Sequence, residues 1–169
     1  QEPFDPKNRV RPVPGRRSQG YRMIALGGLA LLYNYTRDAE WLETGEEFIR
    51  YLIESHVNLG QWPELKQYDF VEHITEDGRP WKDGAGAVLS DSGHCLEFVG
   101  LALKLLPPMA ERADESTTRA QLVAQCKEVL PNVFRRNFAL GFNQEHGGIH
   151  KATDLISGKR LNADMPWWS

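Results

Sequence analysis

At 169 residues, with 41% apolar and 25% charged side chains, the chain can bury one sizeable core and has the balance of an ordinary globular protein. A net charge of -3 gives no electrostatic reason to bind nucleic acid. No run of 18 apolar residues and no signal peptide are present, and the two cysteines, Cys95 and Cys126, read as buried thiols; no membrane association and a reducing, cytoplasmic setting are expected.

Residues 1–19 carry Pro3, Pro6, Pro12 and Pro14, then Gly15, and this spacing predicts an extended strap rather than a helix. The basic residues Lys7, Arg9, Arg11, Arg16 and Arg17 fall within it and read as solvated. Residues 20–35 are almost wholly apolar, with Gly27-Gly28 allowing another backbone close, so an inner helix is predicted. Asp38 caps a second helix reaching about His56. Leu42, Ile49 and Ile53 lie on one side of it and Glu43, Glu47 and Glu54 on the other, the pattern of an outer helix. His56 ends that helix, where a cation suits the dipole.

Residues 58–90 change character. Tyr68-Asp69-Phe70-Val71-Glu72-His73-Ile74, a turn at Glu76-Asp77-Gly78-Arg79-Pro80, and Trp81 predict a hairpin or long ordered loop, with Glu72 or His73 facing a cleft. Ser92 or Asp91 caps an apolar helix over 93–106, expected to stop at Pro107-Pro108. Residues 114–136 give a further amphipathic helix, kinked at Pro131. A glycine-containing loop over 137–165 follows, with short strands near 147–151 and 158–161. His146 and His150 flank Gly147-Gly148, but with no carboxylate or cysteine cluster beside them no metal site is expected.

The predicted order is inner helix, outer helix, hairpin, inner helix, outer helix, loop. Such alternation is what concentric helical rings require, with a four-helix bundle as the alternative. The chemistry centres on His94 and Glu97, which share a helix face at i and i+3. The helix dipole favours a neutral ring in the first turn, and a neutral imidazole can take a proton from carbon. Glu97 is suited to hold the ring or bind a sugar hydroxyl. A plainer account has His94 assisting the cap and Glu97 satisfying a backbone donor. Trp167-Trp168 offers flat faces on which a pyranose stacks.

Gly93-His94-Cys95-Leu96-Glu97-Phe98, followed by an apolar helix, resembles the Gly-His-x-x-Glu-aromatic segment of N-acylglucosamine 2-epimerases and the related cellobiose 2-epimerases and mannose isomerases. Four further segments match in order: the apolar helix Met23 to Tyr35, Phe70-Val71-Glu72-His73-Ile74 with Asp77-Gly78, Glu145-His146-Gly147-Gly148-Ile149, and Met165-Pro166-Trp167-Trp168-Ser169. The resemblance implies an all-α fold, the (α/α)6 barrel, of which residues 1–169 form a single partial domain from the middle. It also implies sugar 2-epimerisation or aldose–ketose isomerisation by proton abstraction beside the carbonyl of a ring-opened mono- or disaccharide, without a redox cofactor or obligatory metal. His94 and Glu97 match the catalytic positions, Trp167 and Trp168 the cleft-lining pair, and Glu72 and Arg22 stand as substrate contacts. Arg22 replaces the family's usual Asn or His, and Met165-Pro166 stands where a lysine is usual. The family's second acid/base histidine belongs beyond Ser169. Two other functions fit such a barrel: a glycoside hydrolase using Glu72 with Glu97, and a carbohydrate-binding or interaction module without chemistry. Exposed flanks of inner helices lead to the expectation that the chain associates with itself or is one segment of a longer polypeptide.

Overall fold

A computed structural model describes residues 13–113, 118–162 and 164–165. Four helices, α1 (Gly20–Thr36), α2 (Ala39–His56), α3 (Ser92–Glu111) and α4 (Thr118–Gly141), alternate with two small antiparallel sheets. One sheet joins β1 (Arg16–Ser18) to β2 (His73–Thr75); the other orders β3 (Leu89–Ser90), β4 (Ala152–Asp154) and β5 (Arg160–Asn162). The two inner helices, α1 and α3, pack side by side, with α2 on α1 and α4 on α3. Leu26, Leu42, Leu52, Phe70, Phe98, Leu105 and Leu130 fill the space between them and are fully buried. No described helix is long and apolar enough to cross a membrane.

The local signals explain most of this. Asp38 takes the N-cap of α2 and accepts the Glu40 N–H at 3.2 Å. Gly27 allows α1 close to α3, since a Cβ there would stand 3.2 Å from Leu101. The other side of α1 keeps Tyr21, Ile24, Leu31, Leu32 and Tyr35 exposed. The predicted hairpin is present around Gly78, with Thr75 N–H donating to Arg79 at 2.8 Å, and the end of the strap adds β1 to its free edge. Residues 1–12 of the strap lie outside the described part.

Four expectations are corrected. Helix α3 does not stop at Pro107-Pro108 but continues through both. The prolines withhold the N–H groups that would reach the carbonyls of Leu103 and Lys104, two residues on the solvent-exposed side of the helix. Burial of Pro108 and Met109 rewards the extra turn. Helix α4 likewise passes 136, because buried Asn137 donates to Tyr68 and Val133 carbonyls at 2.9 and 2.8 Å. His56 is not a terminal cation: it is fully buried and burial pushes its pKa down to about 4. The first loop strand also falls slightly later than predicted, at Ala152–Asp154.

Helix α4 ends against the start of α3. A Cβ on Gly141 would lie 2.4 Å from Ser92 Cβ and 3.0 Å from Ile149. Gly141→Ala is therefore expected to cost about 1–3 kcal/mol through overpacking, read as a lower urea midpoint. An unchanged midpoint would mean that the contact yields freely.

Candidate active site

Histidine 94 sits where the α3 N-terminus meets the two small sheets, in the wall of an open cleft of about 720 Å³. Asp91 starts the helix by accepting the His94 N–H at 3.2 Å, which fixes the first turn and the direction of the ring. The ring Nδ1 then reaches Glu72 Oε1 and Oε2 at 3.1 and 3.2 Å, and Asp91 Oδ2 lies 3.6 Å away. Glu72 is itself held on three sides. Its N–H donates to Leu89 at 2.9 Å, its carbonyl accepts from the Gln19 N–H at 3.4 Å, and Gln19 Nε2 donates to both carboxylate oxygens at 3.2 and 3.3 Å.

These contacts set the charges. The hydrogen bond that His94 donates to Glu72, opposed by partial burial and aided by the charges of Glu72, Asp91 and Glu97, raises the His94 pKa to about 9. Burial alone would push the Glu72 carboxyl up, but hydrogen bonds and charge from His94 hold it below its ordinary value. Burial raises Asp91 despite the neighbouring His94. The resting pair is an imidazolium on a carboxylate. This reverses the neutral ring expected from the helix dipole, because a full charge at hydrogen-bond distance outweighs a half-charge spread over a helix end. With Nδ1 committed to Glu72, Nε2 is the nitrogen left to serve the cleft.

The structure brings together two of the six residues singled out from sequence, His94 and Glu72. Glu97 is exposed, one turn further along α3, and does not line the cleft; the carboxylate that orients the ring is Glu72. Arg22 is not among the residues that line this cleft; its guanidinium stacks 3.7 Å from the centre of the Tyr51 ring. Trp167 and Trp168 lie outside the described residues. Sequence reasoning missed Gln19, Arg16, Lys151 and Asn162. Gln19 alone had a readable clue: it occupies the N-cap of α1, where Ser, Asp or Asn is usual, yet its side chain makes no capping bond. Both cysteines are free and buried. No cluster of three or more metal-ligand side chains occurs among the described residues.

No family model matches the sequence, and no curated protein matches it in a sequence search. Solved structures do match. A D-mannose isomerase superposes with a TM-score of 0.64 at 16% identity, over 94% of this chain and 38% of its own. Cellobiose 2-epimerase from Spirochaeta thermophila gives 0.52 at 15%, over 89% of this chain and 32% of its own. The enzyme from Bacillus thermoamylovorans gives 0.55 at 13%, over 88% and 32%. The chain thus spans about a third of the length of the structures it matches. What is shared at these identities is the fold, part of an (α/α)6 barrel.

Proposed function

We propose that this chain is the cleft-bearing part of a sugar 2-epimerase or aldose–ketose isomerase acting on a ring-opened mono- or disaccharide, with His94 as a proton donor. The observation that carries this reading is the His94–Glu72 pair, 3.1 Å apart in the wall of an open cleft. The shared fold with a mannose isomerase and two cellobiose 2-epimerases supports the substrate class. The hydrolase alternative named Glu72 with Glu97 as its carboxylate pair; Glu72 is engaged by His94 and Gln19, and Glu97 is not among the residues that line the cleft.

In the proposed reaction a base takes the proton from C2 of the open-chain aldose. The C–H electron pair becomes the C1=C2 bond of an enediolate, and the carbonyl oxygen takes up the charge. His94 Nε2–H then supplies a proton to C2 from the opposite face, the electrons return to re-form the carbonyl, and the epimer results. Protonation at C1, with transfer of the O2 proton to O1, gives the ketose instead. Glu72 keeps the ring oriented and protonated between turnovers.

The test is deuterium uptake at C2 of N-acetylmannosamine, mannose or cellobiose by the full-length protein in D2O, followed by NMR. His94→Gln should slow it by roughly 10²–10⁴-fold. Absence of uptake with any of the three sugars in the unaltered protein ends this reading.

A further inference from the structure

We propose that the cleft selects sugars carrying an anionic group, a carboxylate or a phosphate, at the end of the chain remote from the carbonyl, with Arg16 as its ion-pairing residue. The proposal rests on the isomerase reading above and names the substrate class of that site.

The register of the small sheet sets Arg16 in place. Arg16 pairs with Thr75 and Ser18 with His73, and directly paired residues share a face, so these four residues stand on one side of the β1–β2 sheet. That side is the cleft side, since Arg16 and His73 both line the cavity that His94 lines. Ile74, between His73 and Thr75, turns the other way into a core with Val71 and Leu155. The second sheet and the residue before it contribute Lys151 and Asn162 to the same lining.

The hydrogen-bonding inventory of the lining points to the charge of the ligand. Its carboxylates are already engaged: Glu72 by His94 and Gln19, Asp91 by the His94 N–H at 3.2 Å, and Asp83 by the N–H groups of Ala85 and Ala87 at 2.8 and 2.9 Å. The Asn162 side-chain oxygen accepts the Asp164 N–H at 2.8 Å, which leaves its NH2 group to donate. Arg16 is exposed and forms no ion pair among the described residues. Arg and Lys side chains only donate, so the open space is lined by donors more than by unengaged acceptors. A sugar hydroxyl both gives and takes a hydrogen bond, whereas a carboxylate or phosphate oxygen only takes one. A guanidinium fork matches either anion with two parallel bonds. Net charge is not the cause, because Arg16, Lys151 and His94 balance Glu72, Asp83 and Asp91; the cause is which groups are unengaged. The charge of Arg16 also reaches into the site. Burial lowers the His73 pKa, Glu72 opposes, and Arg16 and His94 assist, so an anion seated on Arg16 is felt by that ring.

Deuterium uptake at C2 by the full-length protein in D2O is compared for mannose, mannuronate and mannose 6-phosphate. At least one anionic sugar should exceed mannose in kcat/KM by roughly ten- to a hundredfold, and which one does so separates carboxylate from phosphate. The advantage should shrink as salt rises from about 0.05 to 0.5 M. Arg16→Gln should bring the anionic-to-neutral ratio close to one, and Arg16→Lys should restore part of it through charge without the fork. Because Arg16 is exposed, both variants should melt with the unaltered protein. A ratio near one in the unaltered protein, or a ratio that survives Arg16→Gln, overturns the proposal and leaves the isomerase reading standing. Lack of uptake with these sugars and with those named above removes the isomerase reading instead, and anion binding is then decided without turnover. Inorganic phosphate added to the unaltered protein should raise the His73 titration followed by NMR, and should leave it unmoved in Arg16→Gln. A His73 ring indifferent to phosphate in both proteins refutes the anion site.

Discussion

Glu72→Gln is expected to bring the His94 titration down from about 9 towards the ordinary histidine value of 6.5, followed by NMR of the ring. Gln keeps the size of the side chain and an oxygen that accepts from Nδ1 at 3.1 Å, but it removes the charge that favours imidazolium. Asp91 Oδ2 remains 3.6 Å from the ring and Glu97 adds a smaller attraction, while burial, a larger effect than either, pulls the other way and removes any surplus left by the lost charge. Between the old and new titration points the variant holds a neutral ring where the native protein holds a cation. The proton-donor role proposed for this ring should therefore fail at mildly alkaline pH first and recover on acidification. A ring still titrating near 9 would transfer the role of counter-ion to Asp91.

The dominance of Glu72 marks where sequence reading reached its limit. Elements set by neighbouring residues were legible: α1 from its apolar run, α2 from Asp38 and its two-sided pattern, and the start of α3 from Asp91 and Ser92. So were the burial of both cysteines and the hairpin at Gly78. What failed depended on partners distant in the chain. Pro107-Pro108 signal a helix end locally, but burial of Pro108 and Met109 overrides that signal. Glu97 is the carboxylate nearest to His94 along its helix, whereas the one that bonds the ring arrives from 22 residues away and is fixed by a glutamine 53 residues from it. Periodicity finds residues on one helix face; it carries no information about a carboxylate delivered by a different element. The dipole argument failed for the same reason, being worth about 0.3–1 kcal/mol against about 4 kcal/mol for a unit charge at 4 Å and an effective dielectric near 20.

A buried histidine outside the cleft should dominate acid sensitivity. His56 is fully enclosed beside Tyr51 and Phe70, its Nδ1–H donates to the Val71 carbonyl at 2.8 Å, and its Nε2 has no hydrogen-bond partner among the described residues. Charging the ring would add a buried N–H with no acceptor among the described residues, so burial holds its pKa at about 4 against 6.5. The folded value is depressed, so the neutral ring's contribution is complete above 6.5 and is lost as pH falls from there through 4, when the unfolded chain takes up a proton that the native state resists. The displacement corresponds to roughly 3 kcal/mol, a large share of the stability of a domain this size. Urea unfolding at pH 7 and pH 4 measures it, with His56→Gln as the comparison because an amide keeps the donor to Val71 without titrating. The variant should start somewhat less stable at pH 7 and lose roughly 3 kcal/mol less than the native chain on acidification. Equal losses in the two proteins would shift the acid sensitivity to the carboxylates, with Glu72 first among them because its lowered pKa also weakens the fold as it protonates.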